Sequence, residues 1–177
     1  MKKTFLFVIL LAGGLFSCKK SGSGSGSYHL TATIDGKAAT FNVSPVATRT
    51  NINNATYFSI GGLATTSPTG ASMQIGLSSR PGGPAIKVGT YMDTTTVFNV
   101  SAIYQVSITE MYEAGSSMYQ GTLGGVSKPI TNHFKLVITA MDSASIKGTF
   151  AGDFYAYGST DSAKKVVAGG DFYVKIF

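Results

Sequence analysis

The chain is short of the residues on which most site chemistry depends. Its 177 residues include one cysteine, no tryptophan, two histidines and five prolines, and charged side chains make up only 12% of it. A single cysteine excludes an internal disulfide and any zinc site built on paired thiolates. The histidines, His29 and His133, stand on outward faces at opposite ends of the alternating pattern, with no H-E-x-x-H and no third ligand at metal spacing. Glycine is abundant, yet neither phosphate-cradling pattern, G-x-G-x-x-G or G-x-x-x-x-G-K-[ST], occurs, and the nucleophile elbow G-x-S-x-G is missing. No metal and no cofactor is therefore expected. The only glutamates, Glu110 and Glu113, lie three apart beside a predicted turn, which reads as a solvated turn rather than an acid–base pair. Ser162-Ala163-Lys164-Lys165 fits S-x-x-K by letter only, because it falls in a predicted hairpin turn and not on a helix.

One feature of the N-terminus accounts for several of these oddities. Met1-Lys2-Lys3 is a positive start, Phe5 to Phe16 is apolar apart from Gly13-Gly14, and Ser17 places a small residue before Cys18. This is the layout of a secretory signal. As a helix the apolar run would rise only ~18 Å against a hydrocarbon core of ~30 Å, too short to span it. Residues 1–17 read as a signal peptide, and 18–27 as Cys18 followed by a Lys-Lys and Ser/Gly tether, which leaves 28–177 as a single domain. Removing Lys2, Lys3, Lys19 and Lys20 from the count leaves the domain with 10 Lys and Arg against 8 Asp and Glu, too even a balance to suggest nucleic-acid binding.

From Tyr28 the pattern is period-two. Tyr28, Leu30, Ala32 and Ile34 share one face up to Asp35-Gly36, a type I′ turn signal, and Ala39, Phe41 and Val43 continue beyond it. Ser44 to Asn54 is polar and contains Pro45, and reads as a loop. Tyr57–Leu63 and Ser72–Leu77 are strands around a Ser67–Gly70 turn, and Arg80-Pro81-Gly82-Gly83-Pro84 is an exposed loop. Phe98, Val100, Ala102, Tyr104, Val106 and Ile108 line one side of a long strand, and Glu110 to Gly125 suits a hairpin turning at Gly115-Ser116-Ser117. The last third is a three-stranded meander whose even positions, Phe134, Leu136, Ile138, Ile146, Phe150, Phe154, Phe172, Val174 and Ile176, face inward. The pattern predicts an all-β domain, a single antiparallel β-sandwich or flattened barrel of roughly 8–10 strands.

Gly-Asp-Phe-Tyr occurs at Gly152–Tyr155 and again at Gly170–Tyr173. The alternation puts Asp153, Tyr155, Tyr157, Asp171 and Tyr173 on the outer face of the meander. Flat aromatic rings beside carboxylates suit sugar recognition, so these residues form a candidate ligand face; paired tyrosines also simply stabilise exposed sheets.

Two resemblances add to this reading. Leu15-Phe16-Ser17-Cys18 resembles the lipobox of bacterial lipoproteins, with Leu at −3 and a small residue at −1. The resemblance implies cleavage before Cys18, a diacylglycerol thioether on its sulfur and an acyl chain on its new amine. Asp35-Gly36-Lys37 and Ile146-Lys147-Gly148-Thr149-Phe150 are similar to the D-G-K hairpin and I-x-G-T-F strand of small uncharacterised Bacteroidota outer-membrane lipoproteins. That likeness implies a β-sandwich and brings no activity with it. Surface-displayed members of that group carry acids after the cysteine; Lys19-Lys20 stands there instead, which implies a periplasm-facing domain. The expected role is that of a lipid-anchored envelope module, non-enzymatic, for binding or structure, with a membrane partner through Cys18 and no nucleic acid. A glycan-binding module is the alternative, and an envelope hydrolase a third.

Overall fold

The computed structural model describes residues 27–67, 69–115, 130–157 and 163–177. The leader, Cys18, the tether up to residue 26, the second arm of the hairpin expected after Gly115 and residues 158–162 lie outside the described residues; Lys164 and Lys165, expected in a hairpin turn, already belong to a strand.

The described chain is all strand: β1 (His29–Ile34), β2 (Lys37–Thr40), β3 (Val43–Ile52), β4 (Ala55–Leu63), β5 (Ser72–Ser79), β6 (Gly89–Met92), β7 (Phe98–Ser107), β8 (Glu110–Gly115), β9 (Lys135–Met141), β10 (Ser145–Ala156) and β11 (Lys164–Ile176). The strands form two layers, β2-β1-β11-β10-β9-β6 and β3-β4-β5-β7-β8. Short pairings join the layers at two corners. At one, Lys175 and Ile176 of β11 meet Val46 and Ala47 of β3 in parallel; at the other, Tyr155 and Ala156 of β10 meet Glu113 and Tyr112 of β8. All the other pairings are antiparallel, so the expected sandwich or flattened barrel holds, with eleven strands and one parallel contact.

Alternation explains the core. Leu30 and Ile34 of β1, Phe150 and Phe154 of β10, and Phe172 and Val174 of β11 are buried against Ile60 of β4, Met73 and Ile75 of β5, and Val100 of β7. Aromatic edges bridge the layers: Phe41 meets Tyr104 at 6.0 Å and Tyr91 meets Phe98 at 4.9 Å. Each edge-to-face pair adds about 0.5–1.5 kcal/mol beyond area burial.

The expected loop at Ser44–Asn54 needs correction. The segment Ser44–Asn54 is a strand for most of its length, β3, paired with β4 from Val43 to Ile52. Pro45 lies where the β3–β4 register shifts between Val43 and Val46, so its missing N–H breaks no regular ladder bond. Asn53 and Asn54 both take positive φ (51° and 63°) and close a two-residue turn between Ile52 and Ala55, a conformation that Asn tolerates better than most residues. Strand β6, in a stretch with no alternating signal, pairs with β9 at the edge of the first layer.

The molecule has two distinct ends. Ser27 and Tyr28 lead into β1 where His29 lies opposite Tyr173, near the end of β11. Over roughly 17 Å of strand, β1 then runs to Ile34, opposite Val167 near the start of β11. The first is called the entry end below and the second the far end.

Candidate functional site

At the far end the layers part around a cleft of about 290 Å³, lined by Ile34, Asp35, Lys37, Ala38 and Ala39 of the first hairpin, Tyr104, Val106 and Glu110 of the opposite layer, and Lys165 of β11. The D-G turn places the hairpin wall. Asp35 (φ 49°) and Gly36 (φ 77°) form it as expected, and the tip is latched to β11 by Asp35 N–H donating to the Val166 carbonyl (2.9 Å) and Val166 N–H donating to Asp35 Oδ1 (2.9 Å).

Lys165 reaches the cleft because β11 changes phase. Its inward positions are even from Gly170 onward but odd before it, so that Lys165 opposes the buried Phe154 and Val167 opposes Gly152 and Ile34. One extra residue near Gly169 (φ 58°) causes the switch, a β-bulge with its residue in the left-handed region that glycine favours. Lys164 consequently faces outward and Lys165 inward.

Inside the cleft the charged groups form a chain of contacts. Lys165 Nζ is 3.2 Å from Asp35 Oδ2 and 5.4 Å from the centre of the Tyr112 ring. The Tyr112 hydroxyl donates to Glu110 Oε1 at 2.8 Å, and the Tyr112 and Tyr104 rings stack at 6.3 Å. The Val166 N–H, helped by Lys165, holds the Asp35 carboxyl below its usual range, and Asp35 in turn raises Lys165. The hydrogen bond to Glu110 raises Tyr112, and burial raises Tyr104. Charges of both signs and a tyrosine hydroxyl thus rim an aliphatic floor. Asp35 and Glu110 share the cleft, but Asp35 is held ionised and hydrogen-bonded, an arrangement suited to gripping a ligand rather than to exchanging protons near neutrality.

The residues expected to form one ligand face are divided. Asp171 lies opposite Thr149, whereas Asp153 lies opposite Val166, four residues and ~13 Å further along β10. Asp171 and Tyr173 stay near the entry end: His29 Nε2 is 2.6 Å from Asp171 Oδ1, and the Tyr28 and Tyr173 rings meet at 5.1 Å. Asp153 and Tyr155 face outward but are covered, with Asp153 only 3% exposed. Residues 131 and 132 cross over them, so that Asp153 accepts from Thr131 Oγ1 (2.8 Å), Lys164 Nζ (2.7 Å) and Asn132 Nδ2 (3.4 Å), while Tyr155 accepts from Thr131 N–H (3.4 Å). Burial works against the Asp153 anion, but Lys164 and Thr131 outweigh it and keep its carboxyl below the usual range. Tyr157 is exposed beyond this knot. An exposed acid–tyrosine platform including Asp153 and Tyr155 is therefore ruled out by their burial.

The glutamates part as well, because residues three apart on a strand face opposite ways: Glu110 lines the cleft, while Glu113 lies on the outer face beside Tyr155, where burial raises its carboxyl. His133 Nδ1 lies 3.1 Å from Asp93 Oδ1, and Asp93 Oδ2 also accepts Phe134 N–H at 2.9 Å, which pins the chain entering β9. Among the described residues no three His, Cys, Asp or Glu gather into a metal-binding group.

No family model, curated protein or solved structure matches the chain. The far-end cleft is thus known from its own geometry. Of its residues, Asp35, Gly36 and Lys37 were legible as a turn but not as a site, and Lys165 and Tyr104 were missed. The available signal was Gly169-Gly170 inside a strand pattern, which marks a bulge and so a change of phase.

Proposed function

We propose that the protein is a lipid-anchored envelope binding module that presents its far-end cleft to a small soluble ligand, with no catalytic role. The observation that carries this reading is the polarity of the sandwich. The chain enters β1 from Ser27 and Tyr28 at one end, and the cleft opens at the other, between the β1–β2 and β7–β8 hairpins. Two or three acyl chains on Cys18 hold such a protein durably, at ~0.8 kcal/mol per buried CH₂. The cleft's size, aliphatic floor and paired charges suit a zwitterion with an apolar side group, an amino acid or short peptide being the chemical type.

Two measurements test it. Cys18→Ser should leave the membrane fraction on a high-salt wash that leaves the unsubstituted protein in place, and retention of the variant after that wash would remove the anchor. Ligand-observed NMR against a panel of free amino acids, dipeptides and neutral sugars should give zwitterion signals that Ala39→Phe, which fills the cleft, abolishes. Binding that persists in Ala39→Phe would move the site elsewhere. A preference for the sugars, lost instead in Tyr173→Ala, would favour the glycan reading on the Tyr28–Tyr173 pair.

A further inference from the structure

We infer that the entry end of the sandwich is itself a docking surface for an anionic lipid bilayer, independent of any lipid on Cys18. Four cations stand there. Lys175 sits where β11 meets β3, Lys147 opposite Tyr173, Arg49 donates its backbone N–H to the Phe177 carbonyl, and Arg80 begins the loop tied by Gly82 N–H to Asn54 at the β3–β4 turn. None of the four has a carboxylate partner among the described residues; Arg49 instead lies over the Phe58 ring and Lys175 over the Phe177 ring. The two side-chain carboxylates at this end among the described residues are already engaged, Asp171 by His29 and Asp142 by the backbone N–H groups of Ala144 and Ser145. Among the described residues the other half is richer in acids: Asp35, Asp93, Glu110, Glu113 and Asp153 stand with Lys37, Lys135, Lys164 and Lys165, two of those lysines bound to acids, while Lys87 stands apart on the segment entering β6.

Exposed apolar side chains accompany the cations. Phe177 is 66% exposed, Ile52 at the tip of the β3–β4 hairpin 53%, and Tyr28, leading into β1, 42%. Unpaired cations interspersed with exposed aromatic and aliphatic groups match the headgroup zone of a bilayer, where basic side chains meet lipid phosphates and rings settle among the glycerol groups. Lys19 and Lys20 in the tether add to the same sign of charge. Cations without carboxylate partners among the described residues, spread around exposed rings and aliphatic groups with no pocket between them, point to an anionic lipid surface.

The test uses the chain from residue 18 with Cys18→Ser, since every strand pairing among the described residues lies within residues 29–177. Failure of the lipid anchor therefore leaves the result untouched, and failure here leaves the anchor untouched. In co-sedimentation at low salt the protein should pellet with vesicles of equal parts phosphatidylglycerol and phosphatidylcholine, stay in solution with phosphatidylcholine alone, and be released by high salt. Lys147→Glu with Lys175→Glu should weaken the association about tenfold or more, because each reversal replaces an attraction with a repulsion. Arg80→Glu, in a loop with no strand to disturb, should act in the same direction, whereas Lys135→Glu in the other half should have little effect. Equal binding to neutral and anionic vesicles, no binding to either, or equal sensitivity to Lys135→Glu and Lys147→Glu would overturn the inference.

Discussion

His29 shows how little at the entry end is left to chance. Its Nδ1 meets the Ser27 carbonyl at 3.0 Å and its Nε2 meets Asp171 at 2.6 Å, so both ring nitrogens face acceptors and the protonated ring suits the site best. Partial burial works against the charge, but Asp171 and the Ser27 carbonyl outweigh it and raise the folded pKa. A raised histidine pKa contributes stability that is fully present below the unfolded value of about 6.5 and disappears as pH climbs through the folded value. Denaturant melts should show the protein exceeding His29→Ala by roughly 0.5–1 kcal/mol near pH 5.5, a gap that narrows above neutrality; Asp171 is part-exposed, which limits the size. A gap that widens with pH would show that the neutral ring is the one held. Asp153 has the opposite sign. Its lowered pKa gives stability that is present above about 3.9 and lost as pH falls through the folded value. Removing the buried carboxylate in Asp153→Ala takes away the acceptor shared by Thr131 Oγ1, Lys164 and Asn132 and unpins the crossing segment, at a cost of about 2–3 kcal/mol by chemical denaturation.

The pairing of β10 with β11 accounts for the I-x-G-T-F sequence. Gly148 lies opposite Phe172 and Phe150 opposite Gly170, so each ring covers the glycine across from it. A Cβ at Gly148 would stand 2.0 Å from the Val137 carbonyl oxygen and 2.7 Å from the Phe172 ring. Gly148→Ala should therefore cost about 2–3 kcal/mol through overpacking, and Phe172→Ala about 3–5 kcal/mol through the cavity it leaves. Because ring and glycine share one space, the double variant should cost less than the sum of the two; strict additivity in a double-mutant cycle would show that they act separately. This meander was readable from the sequence because its inward residues are large, apolar and strictly alternating. Strand β3 was not, since from Arg49 to Ile52 it is exposed and its polar residues carry no period. The cleft was hidden for a different reason. Strict alternation would send Lys165 to solvent, and only the bulge at Gly169 turns it inward. Gly169→Val, at φ 58° with room for a side chain but strained for it, should lower stability and shift the cross-peaks of Lys165 and Asp35 more than those of the entry end.

For the whole molecule, the direction in which the far end points decides which compartment the cleft samples. In the proposed anchored arrangement the lysines after Cys18, in place of acids, would set the domain on the periplasmic side, since a tether of nine residues would span on average only ~16 Å. With Cys18, the only cysteine, lipidated as proposed and so closed to maleimide, a cysteine introduced at Lys37, exposed on the rim of the cleft, would be the one free thiol. A bulky, membrane-impermeant maleimide should leave Lys37→Cys unmodified in intact cells and label it once the outer membrane is permeabilised. Labelling in intact cells would place the cleft on the cell surface. A second position, Tyr28→Cys at the entry end, separates topology from burial against lipid: if that end rests on the bilayer, Tyr28→Cys should label more slowly than Lys37→Cys even after permeabilisation, and adding salt should bring the two rates together.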